Sequence, residues 1–196
     1  MTDYAQQQAD AQMGGIRDMV AALEVDYDRL EELREELADL DEAIEEALEA
    51  YDEALAVEDG ADDLQALGEA LLDAKNALAE WRCDYGEELV ALGEAAGDCG
   101  SREEAVPRIH EDALSVEVRS DWHVPGGDDA PAEFRIVLCT GGPHVEMRGE
   151  LNEHGEPVRA WLAYNDWFKP MTERPNRPGD EEALLAYAAC FYYGEG

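Results

Sequence analysis

Apolar residues recur every seven positions from Ile16 onward, at Leu23, Leu30, Leu37, Ile44 and Tyr51. A second stripe runs beside them through Val20, Tyr27, Leu33, Leu40, Leu48 and Leu55. This is the wide apolar face of a helix packed against another element. Neither Pro nor Gly interrupts it between Ile16 and Asp59, so the spacing predicts one helix of about forty residues, roughly 60 Å long. Val57 to Asp63 reads as a turn, with Gly60 ending one helix and Asp62 or Asp63 capping the next. Leu64, Leu71, Leu78, Tyr85 and Leu92 then repeat by seven, with Leu67, Ala74 and Trp81 beside them, up to a stop at Gly97. Two such helices with a short connection predict an antiparallel hairpin with facing seams.

After Gly97 the period changes. Ser101 and Glu104 have the spacing of a capping box, which predicts a short helix interrupted near Pro107. Residues 114–122, 133–140, 144–151 and 157–166 alternate with period two and predict four strands joined partly by tight turns. Lys169 to Gly179 is rich in proline and predicts an irregular loop, and a last helix is expected over 180–193. The predicted class is α+β: a long N-terminal antiparallel helical hairpin, then a small antiparallel four-stranded sheet with a C-terminal helix. The predicted division is a frayed, flexible N-terminus at 1–13, the acidic hairpin at 14–99 and the sheet-plus-helix domain at 100–196.

Charge changes this picture. The chain has 196 residues and a formal net charge of −35, from 49 acidic and 14 basic side chains. Thirty of the acids lie in the first hundred positions beside only five basic residues. Over a rod of roughly 60 Å this is about one carboxylate per 2 Å, using a rise of 1.5 Å per residue; duplex DNA carries one charge per ~1.7 Å. The dense set is Glu31, Glu32, Glu35, Glu36, Asp39, Asp41, Glu42, Glu45, Glu46, Glu49, Asp52 and Glu53, continuing through Glu58 and Asp59 to Asp62 and Asp63. An ordinary solvated hairpin mixes Glu with Lys so that i,i+4 pairs attract; here they repel, each pair costing a few tenths of a kcal/mol. Salt adaptation is a second ordinary explanation, but it spreads acid evenly, and this chain does not.

Such a charge excludes nucleic acid and anionic membrane as direct ligands and favours basic partners. The function expected is that of a nucleic-acid mimic: an inhibitor occupying the basic site of a DNA- or RNA-binding protein, such as a CRISPR effector or a restriction enzyme. The alternative is an acidic coiled-coil adaptor that docks on partner helices or self-associates, which leaves a homodimer open. The polar, acidic start MTDYAQQQAD gives no signal peptide, and no stretch is long and apolar enough for a membrane span. A reduced bacterial cytoplasm is expected, with the four dispersed cysteines (Cys83, Cys99, Cys139, Cys190) as small buried hydrophobes.

No cofactor motif is present, and no enzymatic activity is expected. His110, His123, His144 and His154 lack diagnostic metal-ligand spacing. His144-Val145-Glu146 lacks the P-C-x-x-C that a zinc deaminase requires. Cys139 and His144 flank one turn, a nucleophile–base arrangement weighed against a strand cysteine beside a turn histidine. Thr140-Gly141-Gly142-Pro143 has the glycines of a phosphate loop but no following helix, so a hairpin turn accounts for it. Trp167, Phe168 and Tyr193 stand at element ends, where aromatics serve as exposed anchors.

The stretches Leu138-Cys139-Thr140-Gly141-Gly142-Pro143, Gly149-Glu150-Leu151, Trp161 to Trp167 and Phe191-Tyr192-Tyr193-Gly194-Glu195 resemble small uncharacterised proteins carried by phages and plasmids. The resemblance covers about a third of the chain and implies a mobile-element origin, with no activity or catalytic residue attached. In composition the chain is also similar to acidic anti-restriction and anti-CRISPR proteins.

Overall fold

The computed structural model describes residues 4–56, 61–124 and 130–194, with the side chains of 61–63 left aside. Five helices and one sheet follow in the order α1 (Tyr4–Glu24), α2 (Tyr27–Leu55), α3 (Ala61–Ala96), α4 (Arg102–Asp112), β1 (Ser115–Ser120), β2 (Pro131–Cys139), β3 (His144–Leu151), β4 (Pro157–Asn165), β5 (Thr172–Glu173) and α5 (Asp180–Ala188). The class is α+β, as the sequence predicts. The chain forms two compact units, one of residues 25–97 and the other of the N-terminal segment to Glu24 together with the chain from Asp98 on.

The first predicted helix is therefore two helices. Helix α1 ends at Glu24, and Asp26 caps α2 by accepting a hydrogen bond from the Arg29 backbone N–H at 3.0 Å. The seven-residue period runs through this break, which hides it, but the two sides of the break serve different cores. Residues from Tyr4 on do not fray. Ala5, Ala9, Met13, Ile16, Val20 and Leu23 form one buried stripe at i, i+4, i+3 spacing. The alanines at its start carry too little hydrophobic signal to stand out in the sequence. Burial also carries the helix through Gly14 and Gly15, each of which costs about 1 kcal/mol relative to Ala.

The sheet is an antiparallel meander with strand order β1-β2-β3-β4-β5. The fifth strand pairs Thr172 with Tyr164 and Glu173 with Ala163, inside the segment expected to be an irregular loop. One face is apolar: Phe134, Ile136 and Leu138 of β2, Val145, Met147 and Leu151 of β3, and Ala160, Leu162 and Tyr164 of β4 are all buried. Helices α1 and α5 cover this face, with Ile109 of α4 and Leu184 and Tyr187 of α5 completing the core. Gly149 is obligatory here, because a Cβ would stand 2.2 Å from the Phe134 ring and 2.3 Å from the Arg159 carbonyl oxygen. Phe134 in turn packs on Tyr193, ring centroids 5.0 Å apart, and the Tyr193 hydroxyl donates to the Ala188 carbonyl at 2.8 Å.

Helix α4 runs through Pro107 without interruption. Its expected capping box is not made: the Ser101 side chain makes no capping bond, and Glu104 accepts from the Gly100 N–H at 2.8 Å, one residue before the cap. Helix α5 stops at Ala188, short of the predicted Tyr193.

A buried ionic cluster fastens α1 to the sheet unit. Asp180, fully buried, accepts from Arg174 Nη1 at 2.6 Å and from the Arg177 N–H at 2.8 Å, and pairs with Arg17 of α1. Arg174 Nε also donates to Asp10 of α1 at 2.8 Å. Burial alone would raise the Asp180 carboxyl, but the hydrogen bonds from Arg174 and the Arg177 backbone override it and hold it below the usual carboxylate range. A depressed carboxyl contributes stability that is present above its unfolded pKa and lost as pH falls through the folded one. Asp180→Asn should therefore cost about 1–3 kcal/mol at neutral pH, because Arg174 loses one of its two counter-charges and keeps Asp10. In urea titrations at stepped pH, that deficit should shrink as pH drops below about 4, where an unfolded aspartate protonates. A deficit that does not change with pH would refute the ionic account. At Gly14 a Cβ meets nothing within 4 Å, so Gly14→Ala should stabilise by about 0.5–1 kcal/mol. Gly149→Ala should destabilise by about 1–3 kcal/mol through overpacking.

Candidate functional site: the acidic helical hairpin

Helices α2 and α3 pack along their seams, and the packing is tightest near Asp26. Leu30, Leu33 and Trp81 are buried there. Arg29 links the helices: its Nε and Nη2 reach the two Glu88 carboxylate oxygens at 3.1 and 3.2 Å, and its Nη1 reaches Glu32 at 2.7 Å. The guanidinium also lies 5.4 Å from the centre of the Tyr85 ring. Hydrogen bonds from Arg29 hold the Glu88 carboxyl below its ordinary range. Trp81 Nε1 donates to Glu36 at 2.7 Å.

Farther along, the seam thins. Leu37, Leu40, Ile44, Leu64, Leu67, Leu71 and Leu78 are only half-buried, while Leu48, Leu55 and Leu72 are exposed. Two helices cannot enclose a seam between them, so what holds the far part together is partial burial working against charge.

The carboxylates lie on the side of α2 away from α3. Glu31, Glu32, Glu35, Asp39, Asp41, Glu42, Glu45, Glu46, Glu49, Asp52 and Glu53 are all exposed. Glu36 is half-buried against Trp81, so it belongs to the packing rather than to the free surface. Glu58 and Asp59 lie outside the described residues; Asp62 and Asp63 fall in the first turn of α3, and their side chains are not described. Helix α3 adds exposed carboxylates at Glu69, Asp73, Glu80, Asp84, Glu87 and Glu94. Among the described residues of the hairpin, the ion pairs are those of Arg29. Residues 25–97 hold 25 acids and four basic side chains, a net −21, against −14 for the rest. With α1 removed from the rod, the 36 residues of α3 set its length at about 54 Å, or roughly 2.2 Å per carboxylate.

The chemistry considered for the second half is arranged differently from its sequence spacing. The Cys139 thiol donates to the Pro143 carbonyl at 3.4 Å, while His144 Nε2 lies 2.8 Å from Glu146. Cysteine and histidine thus have separate partners and form no nucleophile–base pair. His110 bonds the Cys190 carbonyl at 2.7 Å. Among the described residues no group of three or more His, Cys, Asp or Glu is placed to hold a metal ion, and no helix is long and apolar enough to cross a membrane. Trp167 and Phe168 are exposed, Phe168 at 102% and with φ 60°, but Tyr193 is buried under Phe134 and is no anchor. Cys99 is buried, whereas Cys83 is exposed on α3. Trp122, one of an aromatic set most of which is expected in the core, is 101% exposed, and Glu146, weighed only as a metal ligand, is an acid in a strand of alternating period that is nonetheless only 1% exposed.

Like-charge crowding on α2 makes hairpin stability depend on salt with a definite sign. Hydrogen exchange of the α2 amides between Glu35 and Glu53 should slow as NaCl rises from about 10 mM to 0.5 M, because the Debye length falls from about 30 Å to a few Å. Faster exchange would mean that attractive pairs dominate instead. Leu33→Ala should cost about 2–5 kcal/mol and speed exchange throughout the hairpin. No family model matches the chain, and no curated protein or solved structure matches it either.

Proposed function

We propose that the hairpin is a nucleic-acid mimic that inhibits a DNA- or RNA-binding protein of the bacterial cytoplasm by occupying its basic channel. One observation carries this reading. The outer side of α2 is an almost continuous exposed carboxylate surface, from Glu31 to Glu53, with Arg34 as its one basic residue. Its like charges repel at i,i+3 and i,i+4, a cost without structural return that a basic partner would reverse on binding. A defence nuclease, a CRISPR effector or a restriction enzyme has such a channel. Association would be steered electrostatically, and would be fast and salt-sensitive. The sheet unit would supply a second contact or specificity.

A second reading is supported by Leu48, Leu55, Leu72 and Val90, large apolar side chains exposed on the hairpin. Under it, the hairpin is an adaptor whose incomplete seam is finished by a partner helix.

The two readings separate cleanly. A tagged protein is used to capture partners from bacterial lysate, with and without nuclease, and these are eluted by stepped salt and identified. Mimicry predicts a nucleic-acid-binding partner that survives nuclease and leaves at moderate salt. The triple change Glu35→Lys, Glu42→Lys, Glu46→Lys should then weaken it about a hundredfold or more. Leu48→Asp with Leu55→Asp should leave a mimic's binding intact and abolish that of an adaptor. A partner that resists salt, tolerates the charge reversals and is lost with the leucines would overturn the mimic.

A further inference from the structure

The face of the sheet turned away from α1 and α5 is built of charged side chains, and its rows can be followed across the strands. Arg119, Glu133, Glu150 and Arg159 stand in register across β1 to β4. In this row each acid has its own arginine beside it: Arg119 pairs with Glu133, and Arg159 Nη1 with Glu150 at 3.0 Å. This is how the sheet arranges charge for its own stability.

The next row differs at one end. Glu117, Arg135, Arg148 and Trp161 stand in register, so two arginines lie opposite each other as Glu133 and Glu150 do in the first row, but the fourth place holds Trp161 where the first row has a counter-charge. Arg135 is paired with Glu117 on its far side. Arg148 has Trp161, not an acid, opposite it on β4. Only its Nε is engaged, by Glu146, and its two terminal nitrogens make no hydrogen bond among the described residues. Glu146 is buried between its partners, with His144 Nε2 at 2.8 Å and Arg135 Nη1 at 3.9 Å. Its bond to Arg148 uses Nε and leaves that guanidinium's terminal nitrogens open, while Arg135 gives a terminal nitrogen to Glu117.

These residues line a cleft of about 630 Å³ whose walls include Glu117, Arg119, Arg135, Arg148 and Trp161. That volume falls within the roughly 300–1,000 Å³ of small-molecule sites. Arg159 lies 5.1 Å from the centre of the Trp161 ring, steadying an indole that is itself half-exposed. The cleft thus offers an aromatic surface beside the two terminal nitrogens of Arg148, which its pair with Glu146 leaves open. The acids on its rim and the −35 of the chain disfavour a polyanion such as RNA.

We propose that Arg135, Arg148 and Trp161 form a binding site for a small planar anion, an aromatic ring carrying a single phosphate or carboxylate. The ring stacks on Trp161, the anion takes the terminal nitrogens of Arg148, and Arg135 adds the second positive charge. The site lies wholly in the sheet unit and is independent of the hairpin.

The test is titration of the full chain at physiological salt, followed by calorimetry and by amide chemical shifts. The probes are adenosine 5′-monophosphate and benzoate as ringed anions, with adenosine and inorganic phosphate as the halves. At least one ringed anion should saturate and bind about tenfold or more tighter than either half, with shifts centred on β2, β3 and β4. Which ringed anion binds tells phosphate from carboxylate. Trp161→Leu and Arg148→Gln should each weaken binding about tenfold or more, while Glu153→Gln, outside the cleft, leaves it unchanged. Should Arg148→Gln unfold the sheet by freeing Glu146, Arg135→Gln takes its place with the same expected loss. The proposal is overturned if neither ringed anion saturates below about 10 mM, if the halves bind as well as the whole, or if folded variants bind like the unaltered chain.

Discussion

The sheet unit depends on one buried carboxylate. Asp180 opens α5 and receives bonds from a backbone N–H and two arginines, one of which belongs to the first helix of the chain. Apolar burial of α1 against the sheet fixes distance but not register. The ionic node fixes register, because Asp10 and Arg17 lie seven residues apart on α1, Asp10 meeting Arg174 and Arg177 and Arg17 meeting Asp180 and the Pro178 carbonyl. That placement lets Met13 and Ile16 reach the core and closes the apolar side of the sheet. The opposite face is left free for the charged rows.

The two units handle charge in opposite ways. In the sheet unit, the arginines of the buried node and of the strands each have an acid partner. In the hairpin four basic residues face 25 acids, and the compensation concentrates at Arg29, where the seam is also best packed. Toward the far part of the hairpin, compensation and burial fade together. A protein selected for stability alone would reinforce that region with lysines. The unreinforced acid is what points outward to a partner, and the open leucines beside it are what keep the adaptor reading in contention.

What the sequence revealed followed the strength of each residue's physical signal. The leucine repeat of α2 and α3 and the alternation of β2 to β4 identify themselves, because large apolar side chains recur at fixed periods. Gly97 marks its helix end with φ 57°. The start of α1 is silent because Ala5 and Ala9 are small, and Gly14-Gly15 argues against a helix that only tertiary contacts sustain. The break at Val25–Asp26 is masked because the repeat keeps its phase from Leu23 to Leu30 while changing the core it serves. Two-residue β5 has no period to read. Most of the hairpin acids were visible as a set, but the withdrawal of Glu36 to Trp81 requires knowing which indole lies across the seam. The Arg135–Arg148 row was invisible, since it exists only once strand register is known.

Because α1 belongs with the sheet, the hairpin is an insertion within a domain, not an extension at its end. Both ends of residues 25–97 return to the same folded unit. Such an insertion has a kinetic consequence. A ribosome releases α1 first, and its partners in α5 follow more than 150 residues later. Its nearer partners α4, β3 and β4 also emerge only after the whole hairpin. Closing so long a loop costs entropy that grows only slowly with length, and a hairpin that folds early by local contacts shortens the loop that must close. The acidic insertion thus brings together the two parts of the domain it separates.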